Sequence, residues 1–128
     1  VIFTYTGYDP GKKGGMVRLD AKGRLLEACR IPVHTGKKAD YNLHMIAAFA
    51  TPKTDRATIE KVHSMPGQGV ASMFSFGRGL GLLEMSVVAQ GVPHMLVTPQ
   101  AWQKVMLAGM PRKKETKKSA VLVASRLW

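Results

Sequence analysis

The first third of the chain is suited to strands and little else. VIFTYTGY, residues 1 to 8, is dominated by β-branched and aromatic side chains, which favour a pleated strand over a helix. It stops at the turn-forming run Asp9-Pro10-Gly11. GGMVRLDAKGRLLEACRIPV then reads as two more strands about the turn Asp20-Ala21-Lys22-Gly23, giving a three-stranded meander.

Helical spacing begins afterwards. DYNLHMIAAF, residues 40 to 49, places Leu43, Ile46 and Ala47 on one face, with Asp40 as the expected N-cap and Thr51-Pro52 as the stop. RATIEKV reads as a short strand, and the run from Val70 reads as a long helix closed by Gly91. A strand beginning at Val92 or, because of Pro93, at His94 runs to Val97. Thr98-Pro99 should cap the short helix PQAWQKVM. A last helix from Glu115 to Leu127 repeats Ala120, Val123, Ala124 and Leu127 on one face. The expectation is an α/β fold with an antiparallel meander plus further strands flanked by helices, in one domain spanning residues 1–128.

Charge narrows the partner. Nineteen Lys and Arg against eight Asp and Glu give a net charge of +11. That balance favours a polyanion, nucleic acid ahead of an anionic membrane surface. The run PRKKETKK, residues 111 to 118, reads either as a solvated charge run or as a phosphate-contacting surface through Arg112, Lys113, Lys114, Lys117 and Lys118. No apolar run reaches the roughly 18 residues of a membrane span, and no signal-peptide order opens the chain. Cys29, the single cysteine, can form neither an internal disulfide nor a thiolate metal site. An intracellular protein is expected, cytoplasmic or organellar, with no membrane partner.

Two acids stand out. Asp9 and Glu60 both close strand-like segments, and in an open α/β sheet function collects at the carboxyl ends of parallel strands. If those strands are neighbours the carboxylates converge. Repulsion between them is relieved by a hard divalent cation, magnesium first and manganese as a possible substitute, which can activate water and stabilise charge on a phosphate. The plainer alternative is a turn aspartate and a lysine-paired glutamate. The four histidines show no zinc spacing. Phe74 and Phe76, two apart, cannot share a helix face, so one should pack while the other is free to stack on a base. Trp102 reads as a core anchor, and Gly77, Gly79 and Gly81 as a helix surface kept small for close approach.

GYDPGKKGG at 7 to 15 resembles the first-strand motif of the RuvC-like Holliday-junction resolvases, which have a ribonuclease H-like fold. IEKVHSMPGQGVASMFSFGRGLG at 59 to 81 is similar to that family's second acidic strand and following helix, especially in its phage and organellar members. VTPQAWQKVML at 97 to 107 and KKSAVLVASRLW match in order and spacing. The resemblance implies that Asp9 and Glu60 are catalytic, metal-binding acids of a homodimer that cuts four-way DNA junctions by paired, magnesium-dependent nicks. Lys61, His63, Ser64, Gln68, Ser72, Phe74 and Ser75 would lie near the junction centre, with Lys12, Lys13, Arg78 and Lys104 as further contacts.

One departure sets the alternatives. The family completes its metal site with an acidic motif of the type DGxADA on a last helix, whereas this chain stops at SRLW and has only Glu115 after Glu84. A site for two cations needs about four carboxylates. Either a C-terminal segment is missing, or the chain is a RuvC-like protein that no longer cuts and serves as a nucleic-acid-binding or assembly factor. Structured RNA remains open as the partner. An actin-like ATPase reading ranks last, since it needs a second phosphate loop and a longer chain.

Overall fold

In a computed structural model the described residues are 3–50, 54–110 and 116–128. Three antiparallel strands open the fold: β1 (Thr4–Asp9), β2 (Gly15–Asp20) and β3 (Leu25–Arg30). The turn between β2 and β3 is held by Asp20, whose carboxylate accepts from the Lys22 and Arg24 backbone N–H groups and from the Arg24 side chain. β6 (Arg56–Glu60) then joins the other side of β1 in parallel, and β7 (His94–Val97) joins β6 in parallel, so the sheet order is β3-β2-β1-β6-β7. This mixed sheet, with helices on it, is the α/β arrangement expected.

Burial alternates along β1, β2 and β6 with the period of two that a covered sheet face demands, whereas β3 is exposed along its length. Thr4, Thr6 and Tyr8 of β1, Met16 and Arg18 of β2, and Ala57 and Ile59 of β6 are buried. That inner face packs under α1 (Leu43–Ala50) and α2 (Val70–Val88), which add Ile46, Phe49, Leu83 and Val87 to the core. A fully buried Ile59 or Leu83 contributes about 1.5–3 kcal/mol. Arg18, 4% exposed, is tolerated because Glu27 and the Phe49 carbonyl accept from its guanidinium, which lies 4.4 Å over the Phe49 ring.

The outer face is covered by α3 (Pro99–Met106) and α4 (Thr116–Leu127). At Gly7 a Cβ would meet nothing within 4 Å, so the sheet is shallow there and a groove of about 900 Å³ remains between strands and helices. The Trp128 indole closes the far end by donating to the Gly23 carbonyl at 2.6 Å. Among the described residues no helix is long and apolar enough to cross a membrane.

Several local expectations change. Asp40 is not the α1 cap: it lies in β5 (Asp40–Tyr41), which pairs with β4 (Val33–His34) in a small hairpin unforeseen from sequence. Asn42 takes the capping role, accepting from the Met45 N–H, because it sits three residues before that donor. Ile46 of the expected face is buried, but Leu43 is 45% exposed, and Phe49, edge-on to Tyr8, and Ala50 complete the inward face of α1. On α4 the buried residue is Ser119, whereas Ala124 and Leu127 are exposed, since the shallow sheet gives that helix little to seat against. Val1, Ile2, Thr51, Pro52 and Glu115 lie outside the described residues.

Candidate active site

The register of the two parallel strands brings the acids together. Tyr8 pairs with Ile59, so Asp9 and Glu60 are the next residues on neighbouring strands, and both line the outer groove. Immediately after Asp9 the chain reverses: Gly11 has φ +112°, and the Gly14 N–H donates to the Gly11 carbonyl at 3.0 Å. A Cβ at Gly14 would overlap the Asp9 carbonyl oxygen, and one at Gly11 would fall 2.8 Å from the ring of Phe76. The glycines of the motif are therefore required by backbone and ring contacts beside the acid.

The two carboxylates have different surroundings. Asp9 is open to solvent on one side, yet crowding by protein pushes its carboxyl above the ordinary range, and the Glu60 charge raises it further while Lys117 opposes the rise. Glu60 is half-buried and accepts a 2.6 Å hydrogen bond from the Trp102 indole N–H. Trp102 is thus a groove-wall residue with a polar task, where sequence suggested only a core anchor. Its position follows from the chain: the Lys61 N–H donates to the Val97 carbonyl at 2.8 Å, Thr98 caps α3 by accepting from Ala101, and Trp102 falls on the first turn.

The remaining candidates divide into groups. Lys61, His63 and Ser64 are exposed in the loop after Glu60. Gln68 accepts from the Met65 N–H and donates to the Ser72 hydroxyl at 3.1 Å, joining that loop to the start of α2. Phe74 is 74% exposed, while Phe76 packs on Gly11, so the two phenylalanines divide as their spacing requires. The Ser75 carbonyl accepts from the Tyr41 hydroxyl. Arg78 forms an ion pair with Asp40 at 2.5 Å, and Lys12 donates to the Ala39 carbonyl; both cations lie 5.8 Å from the Tyr41 ring. These two are tied to the β4–β5 hairpin. Lys13 and Lys104 are exposed, as is Lys118 on α4. Arg112, Lys113 and Lys114 lie outside the described residues.

Lys117 and Trp102 are the participants that sequence reasoning did not place at the acids. Trp102 meets Glu60 across 42 positions of sequence, and Lys117 belongs to a charge run whose composition gives no direction. Among the described residues no group of three or more His, Cys, Asp or Glu side chains could hold a metal ion. The donor set of two carboxylates suits a single hard cation of the magnesium type, which commonly takes one or two protein carboxylates and completes its shell with water and substrate phosphate.

A search of solved structures finds Thermus thermophilus RuvC in complex with a Holliday junction substrate, with a TM-score of 0.60, 14% sequence identity, and coverage of 98% of this chain and 93% of that one. The fold is that of RuvC. A second Thermus thermophilus RuvC structure matches with the same TM-score, 15% identity, and coverage of 98% and 80% of the two chains. At such identity the likeness to RuvC establishes the architecture alone. No protein-family model matches the sequence, and no curated protein matches it.

Proposed function

We propose that this chain is a RuvC-like, nucleic-acid-binding protein whose Asp9 and Glu60 form the catalytic end of a structure-specific endonuclease acting on four-way DNA junctions. The observation that carries the reading is the adjacency of two carboxylates at the carboxyl ends of neighbouring parallel strands, in a chain of net charge +11. The likeness to a RuvC seen with a Holliday junction supports branched DNA as the partner. Asp9 and Glu60 would hold a magnesium ion, with manganese as a substitute; when bound, such an ion supplies water activation and charge stabilisation at the phosphate. Lys117 lies where a cation can oppose charge beside Asp9. Lys61, His63 and Ser64 follow Glu60 in an exposed loop that Gln68 joins to Ser72 at the start of α2; along it a phosphate backbone would pass, and exposed Phe74 offers a ring for a base to stack on.

A homodimer fits one face of α2. Val70, Gly77, Gly81, Met85 and Val88 fall within one narrow arc at helical spacing and are exposed; Val70 is 80% and Met85 58% accessible. A partner backbone can approach closely at the two glycines, where a Cβ would meet nothing within 4 Å. A second reading, junction binding without cleavage, is favoured by one observation: the described residues bring only two acids together.

The test is a labelled four-way junction, with a linear duplex as control, in magnesium and in EDTA. Paired magnesium-dependent nicks are expected, together with loss of at least about 100-fold in rate and most divalent-ion binding in Asp9→Asn. Junction-preferring binding with no cut in either buffer supports the non-catalytic reading. If Asp9→Asn weakens DNA binding equally in metal-free buffer, the metal role of Asp9 is wrong.

A further inference from the structure

Glu60 is a long, flexible side chain placed beside a second carboxylate, and something must hold it there. We propose that Trp102 is a positioning residue for the acid pair, fixing the Glu60 carboxyl group through its indole N–H so that one Glu60 oxygen stays available to a divalent cation. The inference rests on the metal-site reading above. The Trp102 indole N–H donates to one Glu60 carboxyl oxygen, Oε2, at 2.6 Å. The indole is a donor that never titrates and brings no positive charge. A lysine in that place would neutralise the charge a cation needs, whereas Trp102 orients it and leaves it intact.

The surrounding backbone preserves the arrangement. Glu60 pairs with Val97 at the ends of β6 and β7, and the Lys61 N–H donates to Val97. The next residue, Thr98, caps α3, and Pro99 occupies its first turn. Glu60 and Trp102 thus hang from one continuous bonded frame. The groove wall sets the apolar Val97, Pro99 and Val121 beside the polar Thr58, Gln103, Thr116 and Lys117, and the Trp102 ring is partly buried among them. In such surroundings an indole N–H requires an acceptor, and the acceptor it takes is the carboxylate that the site uses.

Manganese(II) alone is the probe, and the two indole N–H resonances are the reporters. Trp128 serves as the internal control, since its indole bonds to Gly23 beyond the far end of β2. Manganese should broaden the Trp102 resonance selectively. Trp102→Phe, and an isostere carrying a benzothienyl ring at position 102, should lose about tenfold in manganese affinity with circular dichroism unchanged. The isostere keeps the bicyclic shape without the N–H, so it decides the matter if the phenylalanine variant fails to fold. An isostere that binds manganese as tightly as the natural chain overturns the role of Trp102 while the metal site stands. No broadening at Trp102, with Asp9→Asn indistinguishable from the natural chain, overturns the metal site and this inference with it.

Discussion

Replacing Asp9 by Asn removes a charge that the folded chain holds against desolvation and against Glu60. A carboxyl whose folded pKa lies above its unfolded value adds stability at low pH. That contribution is lost as pH rises from the unfolded value through the folded one. In metal-free buffer Asp9→Asn is therefore expected to melt higher than the natural chain at neutral pH, with the difference shrinking as pH falls below the ordinary carboxylate range. Thermal unfolding followed by circular dichroism at several pH values measures this, and an equal or lower melting temperature at neutral pH counts against the electrostatic account. The acids themselves were legible, because each ends a strand-like run beside a distinctive motif. Trp102 and Lys117 were not, since what brings them to the acids is chain reversal over tens of residues, which local spacing does not encode.

Within α2 the three glycines of FGRGLG have unequal duties. A Cβ on Gly79 would overlap the Tyr41 hydroxyl and lie 2.7 Å from its ring carbon Cζ, and Tyr41 is only 3% exposed. Gly79→Ala should destabilise the fold by up to about 2 kcal/mol, the overpacking cost of about 1–3 kcal/mol less the helix gain of about 1 kcal/mol. Gly77→Ala and Gly81→Ala meet open space and should stabilise an isolated chain by about 1 kcal/mol each. Sedimentation velocity on the same variants tests the dimer: if a second copy packs on this face, the added methyl groups weaken association, and unchanged association removes α2 as the interface. A helix kept small for close approach could be read from the spacing of the glycines. Which of them meets Tyr41 could not, because β5, the strand carrying Tyr41, is two residues long and leaves no periodic trace.

Over the whole molecule many acids are paired internally. Asp20 bonds to Arg24, Glu27 to Arg18, Asp40 to Arg78 and Glu84 to His94, while Asp55 accepts from the Thr4 N–H. The cationic surplus therefore falls largely on lysines, of which Lys13, Lys61 and Lys104 are exposed. Lys61→Gln with Lys104→Gln should weaken binding to DNA of any sequence and reduce the slope of log affinity against log salt by about two. An unchanged slope measured by fluorescence anisotropy would place the DNA path elsewhere. The mixed sheet was readable from the order of strands and helices, but the looseness of α4 was not, because it follows from a shallow sheet face at Gly7. The glycines at 11 and 14 answer to the ring of Phe76 and the backbone of Asp9, and neither needs a ligand. A search pattern written on GYDPGKKGG therefore retrieves a way of reversing a strand, and collects turns from chains of any activity. One that asks for an acid ending the parallel neighbour and an indole opening the next helix would retrieve the chemistry.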